Sequence, residues 1–144
     1  MIKNLLLPAL SAIALTCAPA MADGDDHDHS TYGPNGGRVL HQVHPHAELL
    51  VTKERKLQFT FLSHSGKAIA PKGQSIVVIC GQRSNPVKMS FAPQGKSLIS
   101  DKSLPEGKQV PTVISMKMSP SQKATIIRLN LKPEDYRNGH AKKE

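Results

Sequence analysis

The chain has 144 residues, with 19 Lys and Arg against 11 Asp and Glu for a formal charge of +8. One domain's length excludes a multidomain enzyme. Only 2 Tyr and 3 Phe are aromatic, Trp is absent, and 10 Gly and 11 Pro punctuate the chain, so short elements joined by turns are favoured over long helices.

The first predicted element is an address. Lys3 gives a basic start, Leu5 to Leu15 a mostly apolar stretch, and Ala20-Met21-Ala22 a small-x-small cleavage signature, together a secretory signal peptide over 1–22. Pro8 and Ser11 interrupt the apolar stretch, and no later segment approaches the roughly 20 apolar residues that a membrane span needs. Ala14-Leu15-Thr16 before Cys17 is a poor lipobox, so no lipid anchor is expected. The mature chain is expected to be periplasmic, without a membrane span. It keeps Cys80 alone, which excludes an internal disulfide and reads as a buried, inert thiol.

Residues 23–34 read as a disordered leader. Asp23-Gly24-Asp25-Asp26-His27-Asp28-His29 alternates carboxylate with imidazole, a donor set that suits Zn²⁺, Ni²⁺, Co²⁺ or Cu²⁺ once the rings are neutral. His27 and His29 are therefore candidate ligands. With few local contacts, each ion must order the chain as it binds, which implies modest affinity and weak selectivity. A solubilising leader without a ligand is the plainer reading of the same residues. Six of the seven histidines fall between His27 and His64, and that clustering asks for a chemical reason.

A second group follows in His41-Gln42-Val43-His44-Pro45-His46-Ala47-Glu48. On an extended chain His44, His46 and Glu48 share one face, whereas His41 goes with Val39 and Val43 and is a candidate to point inward. Pro45 is expected to break the strand and leave His44 to His46 in a turn. Such a turn can bring His41 opposite His46 or Glu48, and three ligands of this kind plus water make an open tetrahedral site. The metal candidates here are His41, His44, His46 and Glu48; histidines in a surface turn without any ion are the alternative. His64, in a later turn, is a further neighbour, and His140 is assigned nothing.

From residue 47 onward the period is two. Ala47, Leu49 and Val51, then Leu57, Phe59 and Phe61, alternate with polar neighbours, and Lys53-Glu54-Arg55 between them reads as a hairpin turn. Ile76 to Cys80 is apolar on both faces, the mark of a central strand. Val87, Met89 and Phe91 form another alternating run, Ala92-Pro93-Gln94-Gly95 reads as a turn, and Ser97 to Ser100 as a short strand. Ile114, Met116 and Met118, and Thr125, Ile127, Leu129 and Leu131, complete the pattern. The fold class predicted is all-β: an antiparallel β-sandwich over 35–133, immunoglobulin-like or similar, with a small β-barrel as the alternative. Residues 134–144 read as a polar tail.

The stretch Tyr32-Gly-Pro-Asn-Gly-Gly-Arg-Val-Leu40, followed by His46-Ala-Glu-Leu-Leu-Val51, Leu57 to Leu62 and Gly66-Lys67, resembles a segment of small bacterial periplasmic proteins and of periplasmic adaptor subunits of heavy-metal efflux systems. There it is often written Gly-Pro-His-Gly-Gly-Arg-Val before a His-Ala/Val-Glu strand. The resemblance covers residues 32–70 and implies a periplasmic β-rich module associated with transition-metal handling. Asn35 stands where that pattern often has His, and the long coiled-coil hairpin and lipoyl-like segment of an adaptor are missing. Gly36-Gly37 also permits a tight turn for folding reasons alone. Met116-Lys117-Met118 is similar to the Met-x-Met pair of small periplasmic copper(I) chaperones, but with Ile114 on the same face and no Trp it reads as core, as does Met89.

No nucleophile motif and no Gly-rich phosphate loop between strand and helix is found, so an enzyme is not expected. Scattered cations with few aromatics do not make a nucleic-acid surface. Two functions remain: a transition-metal buffer or chaperone, with a periplasmic efflux component as a candidate recipient of its ions, and a non-enzymatic interaction domain that presents an edge or a basic face to another envelope protein.

Overall fold

The structure is a computed structural model that describes residues 31–137. The expected signal peptide, the greater part of the expected leader with His27 and His29, and His140 lie outside the described residues.

Ten strands form among the described residues: β1 (Arg38–Leu40), β2 (His46–Val51), β3 (Lys56–Leu62), β4 (Ala68–Ile69), β5 (Ser75–Cys80), β6 (Val87–Met89), β7 (Phe91–Gln94), β8 (Ser97–Ser103), β9 (Val110–Lys117) and β10 (Thr125–Leu131). A 3-10 turn, Pro133–Tyr136, closes the described chain. One sheet, here the A sheet, has the order β1-β2-β3-β8-β7, with β4 paired to β3; the other, the B sheet, runs β10-β9-β5-β6. Every pairing is antiparallel. The protein is an all-β sandwich of two layers, not the closed barrel held as the alternative.

The period-two pattern explains the layering. Leu49, Leu57, Phe59 and Phe61 from the A sheet meet Val78, Met89, Ile114, Met116 and Leu131 from the B sheet, all with essentially no solvent exposure. Each such side chain withdrawn from water stabilises the fold by about 1.5–3 kcal/mol before entropy is counted. Phe59 and Phe91 meet edge to face with centroids 5.2 Å apart. The methionine pair expected in the core is there: Met116 is fully buried and Met118 packs at its rim. Cys80 is buried and unpaired, and desolvation pushes its thiol pKa up, as expected of an inert cysteine.

Three expectations are corrected by the structure. Phe91 to Gln94 is a strand, and the turn is confined to Gly95-Lys96. The run from Val87 thus changes sheets at Ser90, where the Ser90 N–H donates to Asp101 Oδ1 (2.9 Å) and the Asp101 N–H donates to the Ser90 carbonyl (2.9 Å). Pro93 is tolerated because β7 is an edge strand. The ordered fold begins before residue 35, with Tyr32 bridged to Arg38, and continues past 133, with Tyr136 packed on the core and the Arg38 guanidinium 5.7 Å from its ring centroid. β5 is the interior strand expected, flanked by β9 and β6, and one of its faces is covered: Ile76, Val78 and Cys80 are buried, Val77 and Ile79 exposed. Finally, His41 is exposed, not turned inward with Val43.

Candidate metal centre and the loop beside it

The histidine turn lies between β1 and β2, whose register pairs Leu40 with Ala47 and Val39 with Glu48. Val43 is buried and anchors the turn; the His44–Pro45 peptide is cis. The rings of His41 and His46 meet edge to face with centroids 4.8 Å apart, and His44 tilts against His46 at 4.7 Å. The turn therefore sets His41 and His44 against His46. His41 and His44 are exposed, His46 is half-buried, and its Nδ1 lies 2.9 Å from the Val43 carbonyl. A carbonyl only accepts, so Nδ1 carries the proton in the neutral ring and Nε2 keeps its lone pair for another partner. The rings touch but do not converge: among the described residues no group of three or more His, Cys, Asp or Glu side chains is arranged to hold an ion. Closing a donor set requires His41 or His44 to turn about its side-chain torsions, which their exposure allows.

Glu48 does not join the rings, a correction to its expected place as a ligand. It is fully buried, and its oxygens are taken up by the preceding loop. The N–H groups of Asn35 (2.9 Å) and Gly37 (2.7 Å) donate to Oε1, and Asn35 Nδ2 donates to Oε2 (2.9 Å). Two backbone N–H groups, two residues apart, and one side-chain amide thus donate to the carboxylate and leave it compensated although buried. Asn35 Nδ2 also reaches Thr60 Oγ1 (3.2 Å), which shares a proton with Ser97 Oγ (2.7 Å). Gly33 must be glycine here, since a Cβ would sit 2.4 Å from Glu48 Cδ; at Gly37 it would sit 2.4 Å from the Leu49 carbonyl oxygen. The Gly-Pro-Asn-Gly-Gly sequence and the Glu two residues into β2 are thus two halves of one latch. Sequence reading missed it because period two places Glu48 on a face without saying what covers that face.

His64 is exposed in the β3–β4 turn, two residues beyond Leu62, which pairs with His46, so it stands at the same end of the A sheet as the histidine turn. A cleft of about 700 Å³ lies at the other end, beside Arg55 in the β2–β3 turn. Its lining mixes Arg55, Lys108 and Lys132 with Glu106, Glu134 and Asp135 and contains no histidine. No helix of the described residues is long and apolar enough to cross a membrane. Compared with protein-family models, curated proteins and solved structures, the chain finds no match in any of the three.

Proposed function

We propose that this protein binds a transition-metal ion, Zn²⁺, Cu²⁺, Ni²⁺ or Co²⁺, at the turn carrying His41, His44 and His46, with His27 and His29 of the leader as additional ligands. The observation that carries this reading is the contact of three imidazoles in one exposed turn, with His46 fixed so that Nε2 is its available nitrogen. Like-natured rings gain little from lying together on a surface, whereas borderline metal ions favour two or three neutral imidazoles.

The attachment of the leader supports a shared ion. The Val39 N–H donates to the Thr31 carbonyl at 3.0 Å, and Tyr32 is bridged to Arg38. His29 lies two residues before Thr31 and His41 two residues after Val39, so each is at most about 7 Å of chain from that one hydrogen bond. Because the rings must reorient to close a donor set, affinity is modest and selectivity weak. That behaviour fits a buffer or a carrier that gives its ion up. The signal-type N-terminus and the resemblance over residues 32–70 favour the periplasm as its place of work and an efflux component as the recipient.

Calorimetric titration of the full chain with the four chloride salts tests this reading. Near-stoichiometric binding at micromolar metal is expected, weakening on acidification as protons compete for the imidazole nitrogens. Replacement of His44 and His46 by Ala should abolish it, and replacement of His27 and His29 should weaken it. No binding of any of the four ions at micromolar concentration overturns the reading.

A further inference from the structure

We propose that the outward face of the B sheet is a docking surface for a short, extended, acidic segment of another protein, of the form acidic-x-aliphatic-x-acidic. This is independent of the histidine turn, which belongs to the other sheet.

Three large hydrophobic side chains are exposed among the described residues, Val77 (37%), Ile79 (45%) and Ile126 (45%), and all three lie on this one face. The register arranges them. Ile126 and Val77 flank Ser115 on either side, and in the next row Arg128, Val113, Ile79 and Lys88 stand side by side across all four strands. Val113 is half-buried, so the centre of the face is a continuous aliphatic patch of four residues. Apolar side chains scattered singly need no explanation; a patch gathered on one face does.

Charge says what fits it. Arg128 lies on one edge strand, Lys88 on the other, and Lys117 at the end of β9, so cations stand on three sides of the patch. None of the four strands carries Asp or Glu. Two copies meeting through this face would set these cations against each other. Area argues the same way: three strands about 20 Å long and the short β6 of about 10 Å, spaced about 4.8 Å apart, present roughly 340 Å², less than half the roughly 800 Å² per partner of a stable interface. A lipid surface is a poorer fit, because the exposed residues are β-branched and half-exposed, whereas interfacial anchors present Trp, Phe or Leu.

The spacing then sets the motif. Arg128 and Lys88 are three strand intervals apart, about 14 Å. An extended chain crossing the strands covers about 14 Å in four residues, with alternate side chains on one side. Acids at the first and fifth positions therefore meet Arg128 and Lys88, and an aliphatic residue at the third meets Val113 and Ile79.

The test is fluorescence anisotropy of a labelled peptide bearing Glu-Ser-Ile-Ser-Glu, titrated with the full chain at low salt, against a matched peptide bearing Lys-Ser-Ile-Ser-Lys. Saturable binding of the Glu peptide is expected. It should weaken roughly fivefold or more in Ile79→Thr and in Arg128→Glu. The Lys peptide should bind only after Arg128→Glu and Lys88→Glu are combined. Absence of saturable binding, equal binding of both peptides, or indifference to Ile79→Thr overturns the proposal. So do two alternative outcomes, cosedimentation with phosphatidylglycerol vesicles in place of peptide binding and a dimer that Ile79→Thr dissociates.

Discussion

The two outward faces of the sandwich invert one another. On the A sheet, Glu48, Thr60 and Ser97 are polar and buried, because the Gly33–Gly37 loop lies over them and meets their hydrogen-bonding groups. On the B sheet, Val77, Ile79 and Ile126 are apolar and exposed, and none of the described residues covers them. The difference separates what this chain spends on its own fold from what it leaves for others. A covered polar face is costly to disturb, since each buried donor or acceptor left alone forfeits about 1–3 kcal/mol. An uncovered apolar face can be altered with little effect on stability.

The largest effect is therefore expected at Gly37. A Cβ there would stand 2.4 Å from the Leu49 carbonyl, a backbone atom of β2 that cannot move aside without breaking the β1–β2 ladder. Gly37→Ala is expected to lower stability by about 3 kcal/mol or more, as overpacking that backbone must absorb. Thermal unfolding followed by circular dichroism measures it; an unchanged midpoint would mean that the loop does not lie on the sheet.

Glu48 comes next. Glu48→Ala removes the acceptor for two backbone N–H groups and the Asn35 amide, and should cost about 3 kcal/mol. Glu48→Gln keeps the shape and one good acceptor but sets an amide NH₂ against the Asn35 NH₂, so a loss of about 1–2 kcal/mol is expected. Urea unfolding of both variants gives the ranking. Metal titration of Glu48→Gln separates latch from ligand: unchanged ion binding with reduced stability assigns Glu48 to the loop, whereas a lost ion with full stability returns it to the metal site.

The same contrast explains what could be read from the sequence. Leu57, Phe59 and Phe61 declared their strand because they alternate with the polar Lys56, Gln58 and Thr60, a period of two that no helix shares. His41, His44 and His46 could be gathered because Pro45 marks a turn and a turn brings near neighbours together. Glu48 was misplaced since a one-dimensional pattern assigns a residue to a face but does not see a loop folded back across it. Ile76 to Cys80 marked a central strand, as β5 is, but not that one of its faces is open. A run apolar on both faces ordinarily means burial on both, and here one face carries its aliphatic residues into the open. The turn expected at Pro93 failed for a local reason: proline excludes a central strand but not an edge.

A smaller effect tests which way β5 faces. Burial holds the Cys80 thiol above its ordinary pKa, so the folded state keeps this proton more tightly than the unfolded chain does. The resulting stabilisation is complete below the unfolded value, about 8.5, and is lost as pH rises from there through the folded value. Unfolding free energy measured from about pH 8 upward should thus fall, and Cys80→Ala should remove that part of the fall. The same slope in the variant would place the thiol in water and reverse the inner and outer faces of β5.

Ile79→Thr should have the least effect on stability. Ile79 is adjacent to Cys80 in sequence yet on the opposite face, 45% exposed, with Val113 and Lys88 beside it in the row. Threonine keeps the β-branch that suits a strand and exchanges a methyl-bearing arm for a hydroxyl that water can satisfy. The expected change is within about 0.5 kcal/mol. Because the fold is left alone, any loss this variant shows in peptide capture reports on the surface and not on unfolding. A destabilisation near that of Glu48→Gln would instead mean that part of this same chain already covers the B-sheet face, and the inversion between the two sheets would disappear.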